Sequence, residues 1–163
     1  MAKRKGVGLG ITRGDNGSYV AITAGTGIVP MMDLVCYLFR KNVTEAATKS
    51  GFRVQGFKDE AFDLLGENFR LELWASFVKR DEVVGLDILQ TLSEISEKEG
   101  FNNFTLKLRI SSERAPRWDA NFVQMNFNPN VDGVFIRGPQ EFNWKMEDNL
   151  VRIGYDSRKI LHI

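Results

Sequence analysis

The stretch that decides the fold is Tyr19-Val20-Ala21-Ile22-Thr23-Ala24-Gly25-Thr26-Gly27-Ile28-Val29-Pro30. β-Branched residues before Ala24 favour a buried strand, the two glycines let the backbone approach a ligand closely, and Pro30 suits the first turn of a helix. Backbone N–H groups at such a helix N-terminus attract an anion. The pattern predicts a strand, a phosphate-sized turn and a helix. A tight connection without a ligand gives the same local pattern, so both interpretations stay open at this point.

The composition is typical of one globular domain. The chain has 163 residues, of which 43% are hydrophobic, which argues against a disordered chain or a disulfide-stapled miniprotein. Its formal charge of +1 comes from 22 basic and 21 acidic residues, so no overall attraction to nucleic acid or an anionic membrane is expected. The basic cluster Lys3-Arg4-Lys5 has no interleaved aromatic residues and is interpreted as a solvated tail. We expect no nucleic-acid partner.

The chain has one cysteine and one histidine, which limits the chemistry that its own residues can carry out. Cys36 is the only cysteine and His162 the only histidine, which argues against a zinc site and against Cys-His or Ser-His-Asp catalysis within the chain. We therefore assign no catalytic or metal-binding residue, and we expect Cys36 in the core of an apolar helix. No apolar run approaches the roughly 20 residues of a membrane helix, and no signal-peptide core is apparent. We expect an intracellular protein, soluble or peripheral at a membrane.

Strand and helix patterns alternate along the chain. Strands are predicted at 19–24, 69–77, 104–110, 133–137 and 159–163, and helices at 31–41, 86–99 and 142–153. Residues 42–68 are interpreted as an insertion or long connection, with a possible short helix at 59–65. This order predicts an α/β, Rossmann-like parallel sheet of about five strands with helices on both faces. Ligands are expected at the carboxyl ends of the strands, where the Gly25 and Gly138-Pro139 turns lie.

Three segments resemble the motifs of one family, in the same order along the chain. They are Ala24-Gly25-Thr26-Gly27-Ile28-Val29-Pro30-Met31, then Glu113-Arg114-Ala115-Pro116-Arg117-Trp118-Asp119 with Phe122-Val123, and last Gly138-Pro139 with the helix that follows. They are similar to the Gly-Gly-Thr-Gly-Ile-Thr-Pro-Met, Asp-Arg-Ala-Pro and Cys-Gly-Pro motifs in the pyridine-nucleotide domain of the ferredoxin-NADP reductase superfamily. The closest branch is NADH-cytochrome b5 reductase. The resemblance covers roughly residues 7–163, apart from 42–68.

The resemblance implies a domain that holds NADH or NADPH so that the nicotinamide faces a flavin. It implies cofactor-binding roles for Gly25, Thr26, Gly27 and Pro30 beside the pyrophosphate, for Ser111, Ser112 and Arg114 beside the adenosine half, and for Arg137, Gly138 and Pro139 near the hydride-transfer position. An ordinary strand-end turn explains Ser111-Ser112 equally well. The choice between NADH and NADPH stays open.

The sequence departs from the family pattern at three positions. Arg137 stands where the family has a cysteine close to the hydride-transfer site, Val29 replaces a threonine, and Ala24 replaces a glycine. In a catalytically inactive, reductase-like subunit, Arg137 is expected either to form a salt bridge or to fill the space of the nicotinamide. These departures concern activity more than fold.

A flavin domain is not apparent in this chain. Residues 1–18 are interpreted as a leader and the end of a flavin-domain connection, and residues 19–163 as an NAD(P)-binding-like domain. FAD is expected only on a missing domain or a partner chain. The chain is therefore interpreted as a module of a longer enzyme, as the partner of a flavin-bearing protein, or as a catalytically inactive subunit of a larger assembly. An unrelated phosphate-binding Rossmann-like protein is a further alternative.

Overall fold

Five parallel strands form one sheet in the computed structural model, which describes residues 9–52 and 65–163. The strands are β1 (Ser18–Ala24), β2 (Arg70–Phe77), β3 (Phe104–Ile110), β4 (Gly133–Arg137) and β5 (Ile160–His162). Their order is β3-β2-β1-β4-β5, and every neighbouring pair is parallel. The predicted parallel sheet is confirmed.

Helices cover both faces of this sheet. They are α1 (Val29–Lys49), α2 (Leu86–Lys98), α3 (Ala120–Asn126) and α4 (Gln140–Arg152). Successive residues of a strand point to opposite faces. Ala21 of β1 accordingly packs in one core with residues of α1 and α2, whereas Val20 and Ile22 pack in a second core with residues of α3 and α4. The fold is α/β and Rossmann-like, as predicted.

The central position of β1 brings three strand ends together. β1 lies between β2 and β4, with Ala24 paired to Ser76 and Thr23 paired to Arg137. The chain moves from β1 outward to β3 on one side and then returns to β4 on the other. Such a reversal of strand order opens a crevice at the carboxyl ends of the central strands.

The first helix is longer than the sequence predicts. Residues 42–49 are helical, although they were expected to belong to an insertion or long connection. Asn42 is fully buried and exchanges two hydrogen bonds with the side chain of Asn103, each 2.9 Å long. The Ser96 hydroxyl of α2 donates to Asn103 Oδ1 at 3.1 Å and accepts from the Asn103 N–H at 3.0 Å. At this end of α1 the buried position is a polar side chain that is hydrogen-bonded to other buried polar groups, and not an apolar residue. The apolar periodicity of the sequence therefore does not extend to the end of the helix.

Two other local features differ from expectation. Helix α3 was not predicted because its seven residues are too few for a periodic pattern. Its start is marked by Asp119, whose side chain accepts from the Phe122 N–H at 2.9 Å. Cys36 is half-buried rather than in the core, since it lies beside the buried face formed by Val35 and Leu38. The possible helix at 59–65 lies outside the described residues except for Leu65, and the boundary at residues 18 and 19 stays a prediction.

An aromatic cluster covers the amino end of β1. The Tyr19 ring centroid lies 5.6 Å from those of Phe69 and Phe135. Its hydroxyl donates to Asp15 Oδ2 at 2.8 Å, and Asp15 Oδ1 accepts from the Gly17 N–H at 2.7 Å. A methyl group at Gly17 would lie 2.7 Å from the Tyr19 ring, so glycine lets the ring close over this turn. The segment before β1 is thereby anchored to the sheet.

Candidate functional site

A cavity of about 930 Å³ lies at the carboxyl ends of β1, β2, β3 and β4. Its volume is in the range of small-molecule sites, roughly 300–1,000 Å³. Both glycine turns line it, together with residues from the ends of β2 and β3. The crevice that the strand order predicts is therefore present.

The first glycine turn leads directly into α1. Gly25–Ile28 forms a 3-10 turn, and Gly25 has φ +55°, in the left-handed region that favours glycine. Pro30 lies in the first turn of α1, where a missing N–H breaks no helical hydrogen bond. Within residues 9–52 and 65–163, no side chain caps the 3-10 turn or α1. The Val29 N–H donates to the Thr26 carbonyl, whereas the first N–H groups of the turn have no side-chain partner in these ranges. Unsatisfied N–H groups at a helix N-terminus and the helix dipole favour an anion.

The two glycine turns touch each other. A methyl group at Gly27 would lie 2.7 Å from the carbonyl carbon of Arg137, and a methyl group at Gly138 would lie 3.0 Å from Cβ of Ala24. Gaps this small leave no room for a larger residue unless a turn moves. Glycine at these two positions holds the turns in contact, whereas Gly25 is required for its backbone angle.

Arg109 of β3 contributes a cation to the β2 and β3 side of the cavity. Its Nη1 donates to Ser76 Oγ at 3.0 Å, and its Nε donates to the Pro116 carbonyl at 2.9 Å. Because both partners are neutral, these hydrogen bonds fix the guanidinium without compensating its charge. Arg109 is therefore positioned to attract an anion into the cavity.

Ser111 and Glu82 place side-chain oxygen atoms on the same side of the cavity as Arg109. The Ser111 hydroxyl donates to the Phe77 carbonyl at 3.4 Å. Glu82 is exposed and lines the cavity, and its Oε2 accepts a hydrogen bond from the Lys79 N–H at 3.3 Å. The β2 and β3 side of the cavity thus presents one cation and one carboxylate.

An ion pair joins the loops that follow β2 and β3. Arg80 Nε and Nη2 donate to the two carboxylate oxygens of Glu113, at 2.8 and 2.7 Å. The hydrogen bonds from Arg80 lower the pKa of Glu113, and the same hydrogen bonds raise the pKa of Arg80. Neither Arg80 nor Glu113 lines the cavity, although the loops that hold them contribute Glu82 and Ser111 to its lining.

Arg137 supplies a second cation at the end of β4. Its side chain is exposed and lines the cavity, and its Cγ would lie 3.1 Å from a methyl group at Gly27. No carboxylate in the described part of the chain pairs with Arg137. The salt bridge that was expected as one role for this residue is therefore absent from the described residues.

The structure brings most of the expected site residues together. Those that line the cavity are Gly25, Thr26, Gly27, Pro30, Ser111, Arg137, Gly138 and Pro139. Ser112 and Arg114 are not among the lining residues. The Ser112 N–H donates to the Val78 carbonyl at 3.0 Å, as in an ordinary strand-end turn, and Arg114 is exposed with φ +58°. The binding roles of all these residues stay predictions.

Sequence reasoning missed three polar lining residues. Ser76, Glu82 and Arg109 line the cavity but belong to no motif that was singled out. The positions of Ser76 and Arg109 follow from the parallel pairing of β2 with β3, in which the two residues are partners, and Glu82 lies in the loop that follows β2. The sequence could have indicated these residues, because each is a polar residue at or after the end of an apolar strand.

A smaller cavity of about 240 Å³ adjoins the β3 side and also includes Arg109. Its lining includes Pro116 and the aromatic rings of Trp118 and Phe122, whose centroids are 6.2 Å apart. Lys107 also lines it and forms an ion pair with Glu72. This cavity continues the candidate site towards the second resembling segment.

Neither a metal cluster nor a membrane helix is found in the described ranges. Residues 9–52 and 65–163 contain no group of three or more His, Cys, Asp or Glu side chains that could hold a metal ion. Within the same ranges, no helix combines the length and apolarity needed to cross a membrane.

Solved structures with a similar fold include a flavohemoglobin, the CS-b5R domains of a human protein and a ferredoxin-NADP+ reductase. No protein-family model matches the sequence, and no curated protein matches it either. The flavohemoglobin of Malassezia yamatoensis, a structure with bound FAD and heme, matches with a TM-score of 0.59 and 19% identity, over 91% of this chain and 32% of that one. The NAD+ form of the CS-b5R domains of human Ncb5or matches with a TM-score of 0.58 and 15% identity, over 90% of this chain and 36% of that one.

A third structure is the H286L mutant of ferredoxin-NADP+ reductase from Plasmodium falciparum with 2′P-AMP. It matches with a TM-score of 0.58 and 16% identity, over 91% of this chain and 53% of that one. The chain has a ferredoxin-NADP reductase-like fold. It has the fold of the nucleotide-binding domain of such reductases, as the resemblance predicts, and it spans about a third to a half of the three structures.

Proposed function

We propose that this chain is a pyridine-nucleotide-binding module that holds NADH or NADPH for hydride transfer to a flavin carried by another domain or another chain. The observation that carries the proposal is the cavity in which both glycine turns meet beside the start of α1. Structures with bound FAD, with NAD+ and with 2′P-AMP share the fold, which supports a nucleotide as the ligand.

The cavity contains groups suited to the phosphates of a dinucleotide. The N–H groups of the Gly25–Ile28 turn and the Arg109 guanidinium can hold the pyrophosphate. The nicotinamide would then lie towards Arg137 and Pro139 at the end of β4, and the adenosine half towards the ends of β2 and β3. The protein binds and orients the nucleotide, and a flavin would supply the hydride acceptor.

Calorimetric titration of the chain with NADH and NADPH tests this proposal. Saturable binding of either nucleotide supports it. Absence of binding at millimolar nucleotide, which corresponds to about −4 kcal/mol, contradicts it and favours the alternative, a catalytically inactive reductase-like subunit. The exposed Arg137 at the position of the family's cysteine is the observation that favours this alternative.

Val29 offers a variant that tests the location of the site. It is the first residue of α1, is 53% exposed and lines the cavity. Val29→Glu should weaken NADH binding about tenfold, because a carboxylate beside the turn repels phosphate. An acidic residue at a helix N-terminus does not destabilise the helix, so the loss would not arise from unfolding.

Val29→Gln is the matched control, since it has the same size without the charge. It should keep NADH affinity within about threefold of the wild type. Equal affinity of the Glu and Gln variants, measured by the same titration, would place the phosphates elsewhere.

A further inference from the structure

The cation at the β4 side of the cavity has no acidic partner in the part of the chain that the structure describes. Arg137 is exposed and lines the cavity, and it forms no ion pair with an acidic side chain of residues 9–52 or 65–163. Glu141 follows it in the first turn of α4 but is not among the lining residues. The charge of Arg137 is therefore left uncompensated within the cavity.

The side chain of Arg137 begins beside the first glycine turn. Its Cγ would lie 3.1 Å from a methyl group at Gly27, so the absence of a side chain at Gly27 gives the arginine room there. The backbone of Arg137 lies on the strand next to β1, about 5 Å away, whereas that of Arg109 lies two strands from β1, about 10 Å away. Of the two cavity cations, Arg137 thus has its backbone nearer to the turn that follows β1.

The two cations flank this turn from opposite sides. The hydrogen bond from Arg109 Nη1 to Ser76 Oγ, 3.0 Å, holds the first guanidinium towards β2. The turn follows β1, and β1 lies between β2 and β4. An anion held by the N–H groups of Gly25–Ile28 therefore has Arg109 on one side and Arg137 on the other. Two linked phosphates match this arrangement, because each can lie beside the turn and one of the cations.

The charge of Arg137 suits a phosphate that ends the ligand better than a nicotinamide ring. A terminal phosphate carries roughly −1.5 to −2 charges near neutral pH and offers three free oxygens, whereas a phosphate esterified on both sides carries about −1. A guanidinium binds such oxygens through two parallel hydrogen bonds. The nicotinamide of NADH is uncharged, so it does not compensate the arginine, and it needs space that the Arg137 side chain shares.

We propose that the cavity also binds a nucleoside diphosphate, with Arg137 holding its terminal phosphate, and that this ligand competes with NADH. The proposal rests on the proposed function for the location of the nucleotide and for its adenosine half at the ends of β2 and β3. The first phosphate lies between Arg109 and the Gly25–Ile28 turn, and the terminal phosphate lies between this turn and Arg137. The arginine thereby contacts an anion in place of a nicotinamide ring.

Calorimetric titrations with ADP, ADP-ribose, AMP and NADH test the proposal at low ionic strength, where exposed charges are least screened. EDTA is present so that no divalent cation compensates the phosphates. ADP-ribose is the matched probe, since it has the same two phosphates but carries a ribose on the second. The wild type should bind ADP about tenfold more tightly than AMP or ADP-ribose, and ADP should displace NADH. Equal affinity for ADP and ADP-ribose, or for ADP and AMP, would overturn the proposal.

Two variants assign the effect to the charge of Arg137. Arg137→Met should lower ADP affinity about tenfold and leave AMP affinity unchanged, because only the terminal phosphate loses its cation. NADH affinity should not fall in the same variant, which distinguishes a lost contact from a damaged cavity. Arg137→Lys keeps a cation without the fork of donors, so its ADP affinity should lie between those of Arg137→Met and the wild type. An ADP affinity in Arg137→Lys no higher than in Arg137→Met would overturn the role of the charge.

The same titrations separate this proposal from the proposed function. Binding of NADH, together with ADP binding that does not depend on Arg137, would overturn the diphosphate site and leave the pyridine-nucleotide module standing. Binding of ADP that depends on Arg137, without binding of NADH or NADPH, would support the diphosphate site and overturn the proposed function. Absence of binding by every nucleotide tested would overturn both. The thermal unfolding midpoint of each variant is the folding control, since the Arg137 side chain is exposed.

Discussion

The two ends of the same sheet differ in how their polar groups are used. At the amino ends, Tyr19 is bound to Asp15, and Asn103 exchanges hydrogen bonds with Asn42. At the carboxyl ends, Arg137 has no carboxylate partner in the described residues, and Arg109 has only neutral partners. The cavity at the amino ends is about 230 Å³, against about 930 Å³ at the carboxyl ends.

This difference indicates that the two ends of the sheet have different roles. Polar groups that satisfy one another add stability and specify the packing of the core. Groups with unused donors and uncompensated charge contribute less to stability and remain able to bind a ligand. The hydrogen-bonded polar groups at the amino ends therefore contribute to stability, whereas Arg109 and Arg137 at the carboxyl ends remain able to bind a ligand.

The largest expected effect comes from opening the polar network at the amino ends. Asn103→Ala leaves the Asn42 side chain buried without its partner and should lower the free energy of unfolding by about 3 kcal/mol. Urea denaturation measures the loss. Nucleotide affinity of the folded variant should stay within about twofold of the wild type, because the cavity is at the other end of the strands.

Asn121→Ala is the control for this variant, since Asn121 is exposed on α3. It should change the free energy of unfolding by no more than about 0.5 kcal/mol. Two results would contradict the proposed difference in role between the two ends of the sheet. One is an equal loss of stability in both variants, and the other is a loss of nucleotide affinity in folded Asn103→Ala.

A smaller effect is expected from Arg137, at the carboxyl ends. Its side chain extends along Gly27 and lines the cavity on the β4 side, where the nicotinamide would lie. Arg137→Cys should tighten NADH binding about fivefold by removing this bulk and leave AMP affinity unchanged, as measured by calorimetry. Arg137→Met, which keeps much of the length without the charge, distinguishes bulk from charge. Unchanged NADH affinity in Arg137→Cys would show that the arginine does not occupy the nicotinamide space.

The smallest effect concerns an exposed ion pair before β5. Hydrogen bonds from the Arg158 side chain and its N–H lower the pKa of Asp156 from 3.8 to about 2. A carboxyl with a lowered pKa stabilises the fold above its unfolded pKa and loses this contribution as pH falls through its folded pKa. The stability advantage of the wild type over Asp156→Asn should therefore be present at pH 7 and disappear between about pH 4 and 2.

Thermal unfolding of both proteins across this pH range checks the prediction. The wild type and the variant should converge in midpoint as the solution becomes acidic. A difference that persists unchanged at pH 2 would assign the effect to the cap geometry at Asp156 rather than to its charge.

Much of the fold follows from short-range patterns in the sequence. The apolar run before Gly25 predicts β1, the alternation around Trp74 predicts β2, and Pro30 marks the start of α1. These predictions succeed because strand and helix periodicity and the backbone limits of Gly and Pro are local properties. Helix α3 is missed because a short helix gives no periodic pattern, and its single Asp119 cap is a weak signal.

The site is predictable only in part, for a different reason. Gly27 and Gly138 belong to sequence motifs, and the structure places both at the cavity. Arg109 and Glu82 reach the cavity through strand pairing and loop geometry, which no local pattern encodes. Ser112 does not line the cavity, and its N–H donates to the Val78 carbonyl. The sequence leaves its role open because a strand-end turn and a binding turn use the same residue types.

The contact between the two glycine turns is made mainly by backbone atoms. A methyl group at Gly27 would lie 2.7 Å from the carbonyl carbon of Arg137, and every residue at position 137 has this carbonyl. Replacement of the Arg137 side chain should therefore leave the contact between the turns in place. Position 137 is accordingly suited to protein engineering, because the lining of the cavity can be changed there without rebuilding its frame.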